Sequence, residues 1–121
     1  MGKFKILFVD DEEELVSTMV ERLEFRDIES AYELNGASAI ERLRKEDFDI
    51  VILDLKLPGI SGEETLRVVK KEHPRLPVIL ITGHLSAEEQ GEIPKGAADY
   101  LTKPINIDDL IGKIQDVFDK Q

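Results

Sequence analysis

Short apolar runs alternate along this chain with amphipathic segments, and that alternation constrains the fold more than any other feature. Phe4 to Val9, Ile28 to Tyr32, Val51 to Asp54, Val78 to Thr82 and Ala97 to Leu101 each read as a strand. The second is the most polar of them, as an edge strand would be. Between the strands, apolar residues recur at helical spacing. Leu15, Val16, Met19, Val20 and Leu23 follow the acidic run Glu12 to Glu14, which suits a helix N-terminus. Ala37, Ile40 and Leu43 follow the Asn35-Gly36 turn, and Leu66 and Val69 follow Ser61-Gly62 and stop before Pro74. The last helix is the clearest: Asn106 serves as N-cap, and Ile107, Leu110, Ile111, Ile114, Val117 and Phe118 form one stripe. After the fourth strand the pattern is poor. Ser86 to Gln90 starts well, but Gly91 and Pro94 interrupt it within two turns, which predicts a short or irregular helix.

Strands separated by helices imply a parallel sheet with right-handed crossovers and helices on both faces, an α/β three-layer sandwich. Five such units suit the flavodoxin-like doubly wound (βα)5 fold, with strand order 2-1-3-4-5. The 121 residues are the size of one domain, so a single domain over 1–121 is expected. A net charge of -10 argues against nucleic acid as a direct partner, because phosphate binding needs a surplus of Lys and Arg. The absence of cysteine fits a reducing, cytoplasmic compartment. The first apolar run is too brief for a signal-peptide core or a membrane span, so no membrane partner is expected.

In the 2-1-3-4-5 order the first, third, fourth and fifth strands lie side by side. Their carboxyl ends carry Asp10-Asp11, Asp54, Thr82 and Lys103, so four polar signals converge on the rim where open parallel sheets bind ligands. Carboxylates gathered closely repel one another unless a cation sits among them. Hard oxygen ligands with little encirclement suit Mg²⁺, which keeps several waters and takes one or two carboxylates plus a phosphate. A lysine and a hydroxyl opposite are what the remaining phosphoryl oxygens would need. The constellation therefore reads as carboxylates holding a metal, one of them also a nucleophile able to form an acyl phosphate.

The segments Val9-Asp10-Asp11, Leu53-Asp54-Leu55-Lys56-Leu57-Pro58-Gly59, Thr82-Gly83-His84 and Tyr100-Leu101-Thr102-Lys103-Pro104 together resemble the motifs of the receiver domain of bacterial two-component response regulators, the CheY-like superfamily. The likeness covers essentially the whole chain, and the motifs stand in order at receiver spacing. It implies that Asp54 is the phosphoacceptor, taking a phosphoryl group from a histidine kinase's phosphohistidine. Asp11 would ligate Mg²⁺ directly, Asp10 would act beside it largely through water, and the backbone carbonyl of Lys56 would complete the protein's share of the shell. Lys103 would pair with a phosphoryl oxygen, through a Lys103-Pro104 bond that is cis in the family. Thr82 would swing its hydroxyl onto the phosphoryl group, with the Tyr100 ring moving into the vacated space. Lys56 and His84 would border the path of the hydrolytic water and set the lifetime of the phosphorylated state. The implied partners are a sensor histidine kinase or phosphotransfer protein, an output domain or downstream partner protein and, on phosphorylation, a second copy in a homodimer.

Taken singly, each residue has a plainer reading. Asp10 and Asp11 could cap the first helix, Asp54 could pair with a nearby lysine, Thr82 could be a capping hydroxyl and Tyr100 a packed aromatic. Glu12 to Glu14 read as a solvated helix start, and His73 before Pro74 as a helix end. Together the plain readings demand independent coincidences at adjacent strand ends. The function expected is a phosphorylation-dependent switch that catalyses only its own phosphorylation and dephosphorylation. The alternative is a receiver fold that works as an interaction module without phosphorylation. A haloacid dehalogenase-type hydrolase would need a second aspartate where Lys56 stands, and a flavodoxin would need a hydroxyl- and glycine-rich phosphate loop after the first strand.

Overall fold

The computed structural model describes residues 4–83 and 94–120. His84 and the helix expected from Ser86 lie outside the described residues. The strands are β1 (Lys5–Val9), β2 (Glu29–Glu33), β3 (Ile50–Asp54), β4 (Val78–Thr82) and β5 (Asp99–Thr102); the helices described are α1 (Glu13–Glu24), α2 (Gly36–Lys45), α3 (Gly62–Glu72) and α4 (Ile107–Asp119). All pairings are parallel and the order is β2-β1-β3-β4-β5, as the alternation implied.

Every residue of β3 and β4 is buried, because helices cover both faces of a parallel sheet at its centre. The period-two alternation of strand side chains divides the core into two halves. Ile6, Phe8, Ile50, Ile52, Ile79 and Ile81 face α1 and α4, where Val16, Met19, Leu23, Leu110 and Ile114 meet them. Leu7, Val9, Val51, Leu53, Val78 and Leu80 face α2 and α3, against Ile40, Leu43, Leu66 and Val69. Each such side chain, fully buried, stabilises the fold by about 1.5–3 kcal/mol. β2, on the edge, keeps its polar residues only partly covered.

Helix starts follow from their caps. Asn35 accepts from the Ser38 N–H, Ser61 from the Glu64 N–H, and Asn106 from the N–H groups of Asp108 and Asp109. α1 has no side-chain cap at Glu12; instead Asp10 Oδ1 accepts the Glu12 N–H at 2.9 Å. α3 ends at Glu72, because Pro74 disfavours helical backbone at His73 (φ -133, ψ 70). β5 starts two residues later than the sequence suggested. Lys95-Gly96 forms a turn, with Gly96 at φ +98 and the Ala97 N–H on the Pro94 carbonyl, and sheet bonding resumes from Ala98 N–H to Val78 O. The Lys103-Pro104 bond is cis, as expected. Among the described residues no helix is long and apolar enough to cross a membrane.

Candidate functional site

The carboxyl ends of β1, β3, β4 and β5 are in register along one rim: Val9 stands beside Leu53, Asp54 beside Ile81, and Thr82 beside Thr102. Asp10 follows β1 and is fully buried; its N–H donates to the Glu33 carbonyl at 3.1 Å, which seats it against the edge strand. Asp54 closes β3 and is 4% exposed, with Oδ1 accepting the Lys56 N–H at 2.9 Å. Gly62 secures the return of the chain behind it. Its N–H donates to Leu55 O at 3.1 Å, and a Cβ there would lie 2.4 Å from the Asp54 carbonyl oxygen. Only glycine lets α3 start this close to the end of β3.

Lys103 arrives from β5, with its N–H on the Thr82 carbonyl at 2.7 Å. Its ammonium lies 2.9 Å from Asp10 Oδ2, 3.0 Å from Asp54 Oδ2 and 2.5 Å from Glu12 Oε1. The contact with Asp10 is ionic rather than a directed hydrogen bond, so that buried oxygen has no aligned donor. Burial pushes the Asp10 carboxyl up, and the neighbouring Asp54 charge adds to this; the Glu12 N–H and the Lys103 ammonium pull the other way without cancelling it. Burial would lower the Lys103 ammonium, but Glu12, Asp10 and Asp54 together outweigh it and hold Lys103 above its ordinary value.

Oxygens of Asp10, Glu12 and Asp54 lie within 4.8 Å of one another, a cluster able to hold a metal ion. Three carboxylates face one ammonium, so the notch remains short of positive charge, and the undirected Asp10 Oδ2 is an oxygen a small hard cation would satisfy. The donor set therefore fits Mg²⁺.

The structure thus brings Asp10, Asp54 and Lys103 together. It buries Thr82 at the end of the neighbouring strand, with its backbone tied to Lys103. Tyr100 is half-buried on β5 and packs against the α2–α3 half of the core. The Lys56 side chain is exposed, while its backbone anchors Asp54. Asp11 is exposed and its carboxylate is not one of the three that cluster. The residue the sequence reading missed is Glu12, taken for part of a solvated helix start. The only sequence signal for it was its place two positions after Asp10, in a stretch where any acidic residue suits a helix N-terminus.

A doubly wound parallel sheet with an acidic, lysine-closed, metal-capable notch at its carboxyl edge defines a small α/β domain built around one aspartate. The sequence pattern of the response regulator receiver domain matches residues 6–115. A transcriptional regulatory protein of uncharacterised role, YkoG of Bacillus subtilis, is 34% identical over 116 residues, covering 95% of this chain and 51% of that protein. The DNA-binding transcriptional regulator NtrC of Escherichia coli is 35% identical over 82 residues, covering 67% of this chain and 18% of that protein. The chain therefore spans about half, or less, of the length of these curated relatives. A CheY-like receiver domain protein from Methanospirillum hungatei superimposes with a TM-score of 0.89 at 30% identity, covering 98% of this chain and 96% of that one. The response regulator TrrA of Thermotoga maritima, solved in complex with Mg²⁺ and beryllofluoride, gives 0.83 at 30% identity, covering 94% and 98%. The chain belongs to the response regulator receiver domain family, the signalling domains of two-component systems.

Proposed function

We propose that Asp54 accepts a phosphoryl group from the phosphohistidine of a sensor histidine kinase or phosphotransfer protein, and that the phosphorylated domain presents an altered face to an output domain or downstream partner. One observation carries the reading: a nearly buried carboxylate at the mouth of β3 sits 3.0 Å from a fixed ammonium. An Asp54 oxygen forms the bond to phosphorus as the phosphorus–nitrogen bond breaks. The imidazole leaves with the bonding pair and a proton on its other nitrogen. Reversal by water breaks the acyl phosphate, restores the carboxylate and releases inorganic phosphate. No external substrate is turned over.

Asp10, Asp11, Asp54 and the Lys56 backbone carbonyl would hold Mg²⁺. When bound, the ion neutralises charge on the carboxylates and the phosphoryl oxygens. The chain's own part is positional. The Lys56 N–H orients Asp54, and Lys103 offers an ammonium to a phosphoryl oxygen without any large movement of β5. The phosphoryl group adds roughly -1.5 to -2 charges, enough to draw the Thr82 hydroxyl toward it and let Tyr100 move inward. By their resemblance to the family's positions, Lys56 and His84 tune the lifetime of the acyl phosphate.

The test is incubation with acetyl phosphate and Mg²⁺, followed by the mass of the intact protein. The parent gains one labile phosphoryl group and Asp54→Asn gains none. A gain that persists in Asp54→Asn would remove Asp54 from its role, and a parent that gains nothing would favour an interaction module.

A further inference from the structure

Glu12 lies in the same acidic cluster as Asp10 and Asp54, but the proposed shell of Asp10, Asp11, Asp54 and the Lys56 carbonyl does not need it and the phosphoryl-binding set does not use it. Its side chain is 59% exposed, yet its tip reaches the Lys103 ammonium at 2.5 Å. An ammonium has three N–H donors. Here Asp54 and Glu12 each accept a hydrogen bond from it, and Asp10 crowds it at 2.9 Å without a directed bond, so carboxylates flank the ammonium on three sides. A phosphoryl oxygen approaching Lys103 therefore competes with carboxylates already on the ammonium, and the one that yields most easily governs its access.

Asp10 and Asp54 are poorly placed to yield. Each is buried, and each has its other oxygen pinned by a backbone N–H, from Glu12 and Lys56 respectively. Glu12 has its free side chain in water, and an exposed pair of this kind is weak. We propose that Glu12 is a gating counter-ion: it occupies the phosphoryl position on Lys103 while Asp54 is unmodified, and it must swing away each time a phosphoryl group arrives. Once displaced it still sits beside the incoming dianion and repels it. Glu12 therefore slows phosphorylation and sets the donor level at which the switch fires. This is a positioning role, and it rests on the phosphoacceptor reading of Asp54.

The experiment compares the parent with Glu12→Gln and with Glu14→Gln, a neighbour on the exposed start of α1 that removes the same charge away from Lys103. The initial phosphorylation rate is measured by intact mass at low acetyl phosphate with saturating Mg²⁺. In parallel, Mg²⁺ alone is titrated by calorimetry. Loss of one repelling charge at the rim, together with a freed ammonium, raises the rate roughly three- to tenfold in Glu12→Gln. Glu14→Gln stays at the parent rate, and the Mg²⁺ affinity of Glu12→Gln stays within about threefold of the parent's. An unchanged or slower Glu12→Gln overturns the gating role, as does an equal acceleration in Glu14→Gln, which would reduce the effect to general surface charge. A loss of Mg²⁺ affinity of about tenfold or more also overturns it, since Glu12 would then be a metal ligand. If the parent itself takes up no phosphoryl group, the phosphoacceptor reading falls and the gate falls with it; a normal parent beside an unresponsive Glu12→Gln sinks the gate alone.

Discussion

Replacing Lys103 with methionine keeps the apolar stem and removes the charge, and the structure says what this leaves behind. Asp10 is fully buried and Asp54 is 4% exposed, and both lose their counter-ion in one step. Stripping one partner from a buried ion pair costs about 3–5 kcal/mol. The notch opens on the rim and the Lys103 side chain is itself 15% exposed, so the low end, about 3 kcal/mol, is expected. The Glu12 contact adds nothing dependable, because that carboxylate is in water. For a chain this size the loss lowers Tm by roughly 10–15 °C.

The pH dependence fixes the mechanism. Burial already raises the Asp10 carboxyl in the parent, and removing the ammonium raises it further. The folded variant then binds a proton more tightly than the unfolded chain, whose aspartate has its ordinary value. The penalty is complete above the raised folded pKa and shrinks as pH falls through it toward the unfolded value. Urea unfolding in EDTA should therefore show a larger gap between Lys103→Met and the parent at neutral pH than at pH near 5. Excess Mg²⁺ should narrow the gap, because a ligand bound only by the native state stabilises it, and the variant has the greater unmet negative charge. A loss below about 1 kcal/mol, or a larger loss indifferent to both pH and Mg²⁺, would show that Lys103 merely packs and would refute the electrostatic account of the notch.

Two further outcomes are expected, one from the geometry at Gly62 and one from the family resemblance at Lys56 and His84. Gly62→Ala places a methyl 2.4 Å from the Asp54 carbonyl oxygen and 2.5 Å from Leu55 Cα, so either α3 or the end of β3 must shift. A loss of about 1–3 kcal/mol in urea unfolding is expected, and a variant as stable as the parent would show that the contact relaxes freely. Replacing Lys56 and His84 together with alanine should change the rate constant for loss of the phosphoryl group, followed by intact mass after the donor is removed. An unchanged rate constant rejects their role in timing.

The sequence by itself determined the frame. Apolar runs broken by amphipathic segments leave a parallel sheet as the economical burial, and the polar second run had to lie at an edge. Asn106 was legible as a cap because its short side-chain oxygen does one local job at a helix start, whereas Asn35 and Ser61, read only as residues leading into helices, proved to be caps as well. Asp10, Asp54 and Lys103 were legible because strand order alone carries strand ends to one rim. Which half of the core each strand residue joins was not legible, since β3 and β4 are apolar almost throughout and no polar face marks the pleat.

Nor could the sequence say that the Glu12 carboxylate turns onto the notch. The strand period has ended at Val9 and the helix period begins at Glu13, so neither periodicity aims the side chains between them. Tertiary structure decided that point. Asp10 binds the Glu12 N–H and so shapes the turn, and the Lys103 ammonium, 91 residues further along the chain, holds the Glu12 carboxylate over the notch while Asp11 faces water. A charge that distant in sequence acts on the junction only after β5 has taken its place in the sheet.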